Sequence, residues 1–343
     1  MSVARHMQLS EFEYSLPPEF IAQEPLPERD KSKLLVLHRD SGRIEHKCFF
    51  NLSEYLHPGD LLVLNDTRVT ALRLKGSKPT GGKVEILLLG DLGKNRWDAI
   101  VKPGRRVGVG TTILFEENGL SAQVVERTEG GGRILDFGDT PAASEAIARL
   151  GEVPLPPYIY TALKDAGRYQ TVYAAEPGSA AAPTAGLHFT PKLLADVRAM
   201  GVRTTFIALH VGIATFRPVR TEIITDHVMH KEIISIPQDA AEAINSAEGR
   251  IIAVGTTTAR AIESAAIERR RVAAVDGETS LFITPGYEFR VLDGLVTNFH
   301  MPKSTLLIMV SAFVGRDRIM RAYEEAKRHE YRFLSFGDAM LII

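Results

Sequence analysis

From residue 60 to residue 140 the chain reads as strand after strand, and this block constrains the fold more than any other feature of the sequence. The runs DLLVLND, TALRLKG, KVEILLLG, RWDAIVKPG, TTILFEENG, LSAQVVERTEGGG and RILDFGD are short, apolar or alternating, and separated by Gly, Asn and Asp. Regular short strands with such punctuation predict a barrel or a sandwich. PTGG and EGGG supply loop or hairpin connections. Outside the block the rhythm changes. Helical patterns at 139–150, 191–200, 238–248, 258–271 and 315–329 alternate with the strand-like runs KLLVLHR, VRTTFIALHVG, KEIISI, RIIAVG, SLFITP and STLLIMVSAF. Strands alternating with helices predict an α/β layer. In TPKLLADVRAMG, Thr190 is placed to cap a helix, Pro191 sits in its first turn and Gly201 marks its end. The expected architecture is an α/β main domain, discontinuous over residues 1–60 and 150–343, with an inserted small antiparallel β-barrel domain at 61–149.

A chain that is 45% hydrophobic and 24% charged has material for a sizeable core. The single cysteine, Cys48, excludes an intramolecular disulfide and a cysteine-based metal site, and fits a reducing cytosol. The start MSVARHMQLSEFEY has no apolar signal core. The longest apolar run, near TLLIMVSAFVG, falls far short of the roughly 20 residues that span a bilayer. The expectation is a cytoplasmic protein with no membrane partner and no bound metal. A net charge of -1 decides nothing about a polyanionic partner, but its distribution does. Arg68 to Arg106 holds ten basic residues against three acids. Such an excess is either a surface for something anionic or the solvated face of a small β-domain.

The candidate chemistry lies in loops. EPGSAAAPTAGLHFT, residues 176–190, has nothing bulky or charged between Gly178 and Gly186, and then reaches His188. Its backbone N–H groups, with Thr184, Ala185 and Gly186, suit an anion or carboxylate, although a tightly packed linker reads the same way. ALHVGIATFRPV places His210 at the end of an apolar run, where open α/β sheets keep their sites. HVMHKE holds two histidines and Glu232 at no standard zinc spacing, so Glu232 is better used facing a cation. IIAVGTTTARAIES brings Gly255, Thr256 and Thr257 to a helix start as a polar cradle, with Arg260 inside the helix. Asn298 and His300 lie in the loop of TNFHMPKS, and Asp338 lies in an apolar tail as either a buried acceptor or a site residue.

Taken together, these strings resemble the S-adenosylmethionine:tRNA ribosyltransferase-isomerase family of queuosine biosynthesis. The resemblance runs from FEYSLPPEFIAQEPLPERDKSKLLVL through LVLNDTRVTALRL, GEVPLPPYI, YQTVYAAEPGSAAAPTAGLHFT, HVGIATFRPV, AVGTTTARAIES and TNFHMPKSTLLIMVSAF to YRFLSFGDAMLI. One departure is Ala214, where the family has Gly. The resemblance implies a transferase that moves and isomerises the ribosyl group of S-adenosylmethionine. The acceptor is 7-aminomethyl-7-deazaguanine at the tRNA wobble position. The product is epoxyqueuosine-tRNA, with adenine and methionine released. S-adenosylmethionine is then a co-substrate, with no permanent cofactor, and the expected state is a monomer.

Each step of such a reaction moves protons, so groups that exchange them near neutrality are suited. His188, His210 and His300 are the candidate bases. The threonines of GTTTAR and the backbone of 178–187 are candidates for holding the nucleoside or the methionine carboxylate, and Glu232 or Asp338 for facing the sulfonium or an amine. Asp66 and Arg68 are placed for the deazaguanine edge or nearby phosphates, and Arg73, Lys75, Lys102, Arg105 and Arg106 for RNA. The alternatives are an S-adenosylmethionine-dependent RNA methyltransferase, against which the missing glycine-rich turn counts, and a non-catalytic RNA-binding protein.

Overall fold

The structure, a computed structural model, describes residues 7–116, 119–128, 131–212 and 219–343. Two compact units emerge. The first comprises 1–67, 156–176 and 182–343, and the second 68–155 and 177–181.

The first unit is built on a nine-stranded sheet. Its order is Val275–Thr279, Glu232–Ile236, Arg203–Leu209, Leu61–Asn65, Ile251–Val254, Gly294–Asn298, Ala339–Ile342, Lys33–Leu37 and Ile44–Cys48. The four strands from Arg203–Leu209 to Gly294–Asn298 are parallel neighbours. Every residue of Leu61–Asn65, Ile251–Val254 and Gly294–Asn298 is buried. That is why these strands read as unbroken apolar runs: a parallel sheet is covered on both faces. Alternate residues Leu62, Leu64, Ile252, Val254 and Val296 share a core with Phe189, Leu193 and Val197 of the helical layer. Each such side chain withdrawn from water contributes roughly 1.5–3 kcal/mol. The helix Pro191–Ala199 forms as its sequence predicts: the Thr190 hydroxyl accepts from Leu193 N at 3.1 Å, and Gly201 leaves with φ of 86°.

Four local readings differ from the sequence expectation. Leu61–Asn65, grouped above with the short strands of the insert, lies at the centre of the large sheet, between two parallel neighbours. STLLIMVSAF is not a strand but the helix Thr305–Val314, capped by the Ser304 hydroxyl accepting from Leu307 N. A continuous apolar run carries no period to separate strand from helix, and here a cap and ten residues decide. SLFITP lies outside the sheet, because the strand runs earlier, at Val275–Thr279. The helix expected over 258–271 spans Thr256–Ser264, and a short hairpin of Ala266–Glu268 and Arg271–Val272 follows it.

The second unit is a closed antiparallel barrel of Arg133–Asp136, Arg96–Lys102, Lys83–Asp91, Leu72–Ser77, Thr112–Leu114 and Ser121–Arg127, in that order. Leu74, Ile86, Leu88, Ala99, Ile113, Val124 and Leu135 fill it, and Ala143, Ala146 and Ile147 of the helix Pro141–Leu150 join the same core. Gly76 is required here: a Cβ would meet Ile113 Cγ2 at 2.8 Å and Leu114 O at 2.9 Å. The chain therefore has the expected class, an α/β main domain with an inserted small antiparallel β-barrel. Among the described residues, no helix is long and apolar enough to cross a membrane.

Candidate active site

The topology brings the candidate loops to one edge. The parallel strands end at Leu209, Asn65, Val254 and Asn298, so His210, Asp66, Gly255–Thr257 and Phe299–His300 all follow carboxyl ends. The antiparallel strand Ala339–Ile342 pairs Ala339 with Asn298, so the preceding segment, Leu334–Asp338, arrives at the same edge. Leu34 pairs in parallel with Ala339, which adds Ser32. Carboxyl-end crevices of this kind are where open α/β sheets bind ligands.

A cavity of about 340 Å³ opens there. Of the residues singled out in the sequence, Thr184, Ala185, Gly255, Thr256, Thr257, Asn298 and His300 line it. Gly255 takes φ of 97°, open to glycine at little cost, and starts the helix Thr256–Ser264. The first N–H groups of that helix, for which the helix itself provides no acceptor, sit beside the Thr256 and Thr257 side chains. Tyr158 and Ser335, whose hydroxyl oxygens are 2.8 Å apart, also line the cavity and were missed by sequence reasoning. Their only signal was membership of the strings GEVPLPPYI and YRFLSFGDAMLI. The exposed Tyr160 ring stands among the lining residues too.

Behind the cavity lies a buried polar chain. Asn298 Nδ2 donates to Leu334 O at 3.3 Å, and because a carbonyl only accepts, this contact fixes the amide orientation. Asn298 Oδ1 then accepts from Thr184 Oγ1 at 3.1 Å, and Nδ2 donates to His188 Nε2 at 3.2 Å. The imidazole proton is therefore on Nδ1, which donates to Ser32 Oγ at 2.7 Å. Burial, with help from Arg332 and Arg29, lowers the His188 pKa to about 3. His188 is thus a neutral ring satisfied at both nitrogens and packed 5.0 Å from Phe49, and it does not line the main cavity.

The other histidines are placed differently. His300 lines the cavity with Nε2 2.8 Å from Thr297 Oγ1, and burial lowers its pKa to about 3. Among the described residues, His300 Nδ1 has no hydrogen-bond partner. His210 does not line the cavity; its Nδ1 is buried without a partner among the described residues, and burial lowers its pKa. Asp66, also outside the lining, is raised to about 6 by burial and then by Glu176.

Several acids and glycines are already committed. Glu232 pairs with Arg260 in the interior and accepts from Gly212 N at 3.1 Å. Burial lowers the Arg260 pKa to about 10. Asp338 accepts from Lys33 N at 2.9 Å and Arg332 N at 2.7 Å, so it ties the last strand to its neighbours. A Cβ on Gly186 would collide with the Tyr173 hydroxyl and approach Thr171 Cγ2 at 2.9 Å, so its bareness serves packing. Gly178 and Arg68 belong to the second unit. There Lys75 reaches Glu152 at 3.1 Å, Arg73 lies 3.5 Å from Glu85, and Arg68, Lys102, Arg105 and Arg106 are exposed. Ala214 lies outside the described residues. His46, Glu325 and His329 form, among the described residues, one group of possible metal donors, and none of them lines the cavity.

Comparison with known proteins decides the family. The model of a family described as queuosine biosynthesis protein matches residues 9–342. The chain belongs to this family. Among similar proteins, the S-adenosylmethionine:tRNA ribosyltransferase-isomerase of Caldanaerobacter subterraneus is 54% identical over 341 residues, covering 98% of this chain and 100% of that one. The protein of the same name from Desulforamulus reducens is 50% identical over equal shares. A crystal structure of S-adenosylmethionine tRNA ribosyltransferase from Thermotoga maritima is 40% identical, with a TM-score of 0.55 over 97% of this chain and 100% of that chain. The queuosine biosynthesis family thus spans both units, barrel included.

Proposed function

We infer that the chain is an S-adenosylmethionine:tRNA ribosyltransferase-isomerase. It transfers and isomerises the ribosyl group of S-adenosylmethionine onto 7-aminomethyl-7-deazaguanine at the tRNA wobble position, releasing adenine and methionine. The observation that carries the site assignment is the cavity at the carboxyl edge, whose lining unites motifs scattered from Thr184 to His300. The nucleoside of S-adenosylmethionine occupies this cavity. Thr256, Thr257 and the first N–H groups of their helix turn hold its hydroxyls, with the adenine toward the exposed ring of Tyr160. Asn298, locked by Thr184, Leu334 and His188, forms a rigid wall, and His188 acts as a positioning residue.

Of the three histidines, His300 is the one that lines the cavity with a ring nitrogen unengaged. In the tautomer with the proton on Nε2, which then donates to Thr297 Oγ1 at 2.8 Å, Nδ1 is the acceptor that takes a proton from the carbon beside the sulfonium. The positive sulfur acidifies that carbon and so lowers the basicity asked of Nδ1, although burial holds the His300 pKa at about 3, below the near-neutral value that suits a general base. The barrel unit takes the RNA through Arg105, Arg106 and Lys102, and Asp66 and Arg68 serve the deazaguanine. S-adenosylmethionine is consumed as a co-substrate, with no resident cofactor, by a cytoplasmic monomer.

Incubation with S-adenosylmethionine and tRNA carrying 7-aminomethyl-7-deazaguanine tests the reading. Equal amounts of free adenine and methionine are expected, with epoxyqueuosine in the RNA. S-adenosylhomocysteine as the product would make the chain a methyltransferase, and no consumption of S-adenosylmethionine would make it a binding protein.

A further inference from the structure

A second, smaller cavity of about 20 Å³ has no part in the roles assigned above. Arg29, Arg168 and Arg332 line it together with His188, Ser32 and Ser335, and no carboxylate is among its lining residues. The three arginines come from distant strings, PERD, GRYQ and YRF. Each is fixed by main-chain oxygens. Arg29 donates to Leu187 O and Gly167 O, both at 3.1 Å. Arg168 donates to Pro27 O at 3.1 Å and Leu26 O at 2.5 Å, and Arg332 donates to Glu24 O at 3.4 Å. Carbonyls orient a guanidinium without neutralising it. Asp338 forms an ion pair with Arg332 at 3.6 Å while its oxygens also accept backbone N–H groups, so Arg332 is partly compensated and Arg29 and Arg168 carry most of the uncompensated charge. Asp165 acts on Arg29 from farther away and accepts from Gly167 N.

Donor capacity is left over. An arginine has five N–H donors, and the Nε of Arg168 is buried with no partner among the described residues. The charges also oppose one another. Burial and then Arg168 lower the Arg29 pKa, while Arg332 and Arg29 add to the lowering of His188. Three guanidinium forks of one sign line a partly open space with room for about one water-sized group, so a carboxylate or phosphate would place one oxygen in it and meet the forks from its mouth.

We propose that this niche is an oxyanion-binding site in which Arg29, Arg168 and Arg332 grip a single phosphate or carboxylate group. Ser335 lines both cavities, so the bound anion lies next to the nucleoside cavity. Resting on the function proposed above, the anion has two sources: a phosphodiester of the tRNA or the methionine carboxylate of S-adenosylmethionine.

Inorganic phosphate titrated into the full chain at constant ionic strength is the first test. A ligand that binds only the folded state raises the thermal transition as its concentration passes Kd. The wild-type transition is expected to rise with phosphate and not with chloride. The rise should be lost in the Arg168→Gln/Arg332→Gln variant and partly kept in Arg168→Lys. Equal responses to phosphate and chloride in the wild type overturn the proposal whether or not the variants fold. Equilibrium binding then separates the sources. In the double glutamine variant, at least tenfold weaker binding of S-adenosylmethionine, with no loss for its decarboxylated analogue, assigns the carboxylate. Weaker tRNA binding with a shallower salt dependence assigns the phosphodiester. Wild-type affinity for both ligands overturns the site. If the wild-type chain binds neither, the functional reading fails, and the phosphate titration still decides the niche.

Discussion

Asn298→Asp changes one amide nitrogen to oxygen and almost no volume, yet it should be among the most damaging isosteric changes in the chain. Asn298 is 3% exposed, and its Nδ2 is the donor in two contacts, to Leu334 O and to His188 Nε2. A carboxylate there would set an acceptor against an acceptor on both sides. Two lost hydrogen bonds cost about 2 kcal/mol together at about 1 kcal/mol each. The larger effect is in the pH dependence. To restore a donor between the new carboxyl and His188 Nε2, the folded state must hold one extra proton, whichever of the two groups carries it. The unfolded chain releases that proton above the ordinary Asp pKa of about 3.9. A carboxyl whose proton is held more tightly in the folded state contributes stability that is fully present below its unfolded pKa. That stability is lost as pH rises toward the folded value. The stability deficit relative to wild type should therefore widen by about 1.4 kcal/mol per pH unit, or about 2.7 kcal/mol between pH 5.5 and 7.5. Urea unfolding of wild type and variant at both pH values measures it. Asn298→Leu is the control, with a deficit that does not depend on pH. A deficit for Asn298→Asp equal at the two pH values would refute the donor–acceptor order assigned to the chain Thr184–Asn298–His188–Ser32.

Other perturbations follow from the same geometry. Gly186→Ala drives a methyl into the Tyr173 hydroxyl and should destabilise by about 1–3 kcal/mol, read as a lower urea midpoint with an unchanged slope. With His300 as base at a pKa of about 3, kcat/KM should show no break at 6.5 between pH 5 and 8, whereas a break near 6 would hand the role to Asp66. Because His188 is neutral when folded, with its pKa depressed to about 3, its contribution is present above pH 6.5 and lost as pH falls toward 3. His188→Asn should therefore flatten the acid side of the stability curve. Arg105→Ala/Arg106→Ala should weaken tRNA binding and reduce its salt slope by about 1–2, and an unchanged slope would move the RNA surface elsewhere.

Much of this was written in the sequence, and the gaps have physical causes. The barrel showed itself through alternation and glycine punctuation, as in KVEILLLG, whose Val84, Ile86 and Leu88 point inward. The strand Leu61–Asn65 was legible as a strand but not as the centre of the sheet, because partners such as Arg203–Leu209 are fixed only by the folded topology. Gly255, Thr256 and Thr257 were found because a strand–glycine–threonine–helix string encodes its own local geometry. Tyr158 and Ser335 were missed because a hydroxyl pair joined across 177 residues leaves no local pattern. Glu232 read as an acid facing a cationic ligand, and Asp338 as either a buried acceptor or a site residue. The partners that commit them, Arg260 for one and the backbone of Lys33 and Arg332 for the other, are visible only in three dimensions.

A crystal structure of the full chain soaked with S-adenosylmethionine tests the central claim most directly. The account predicts density for the nucleoside in the 340 Å³ cavity, its hydroxyls against Thr256 and Thr257 and its C5′ within reach of His300 Nδ1. A nucleoside bound anywhere else, with that cavity empty, would contradict it.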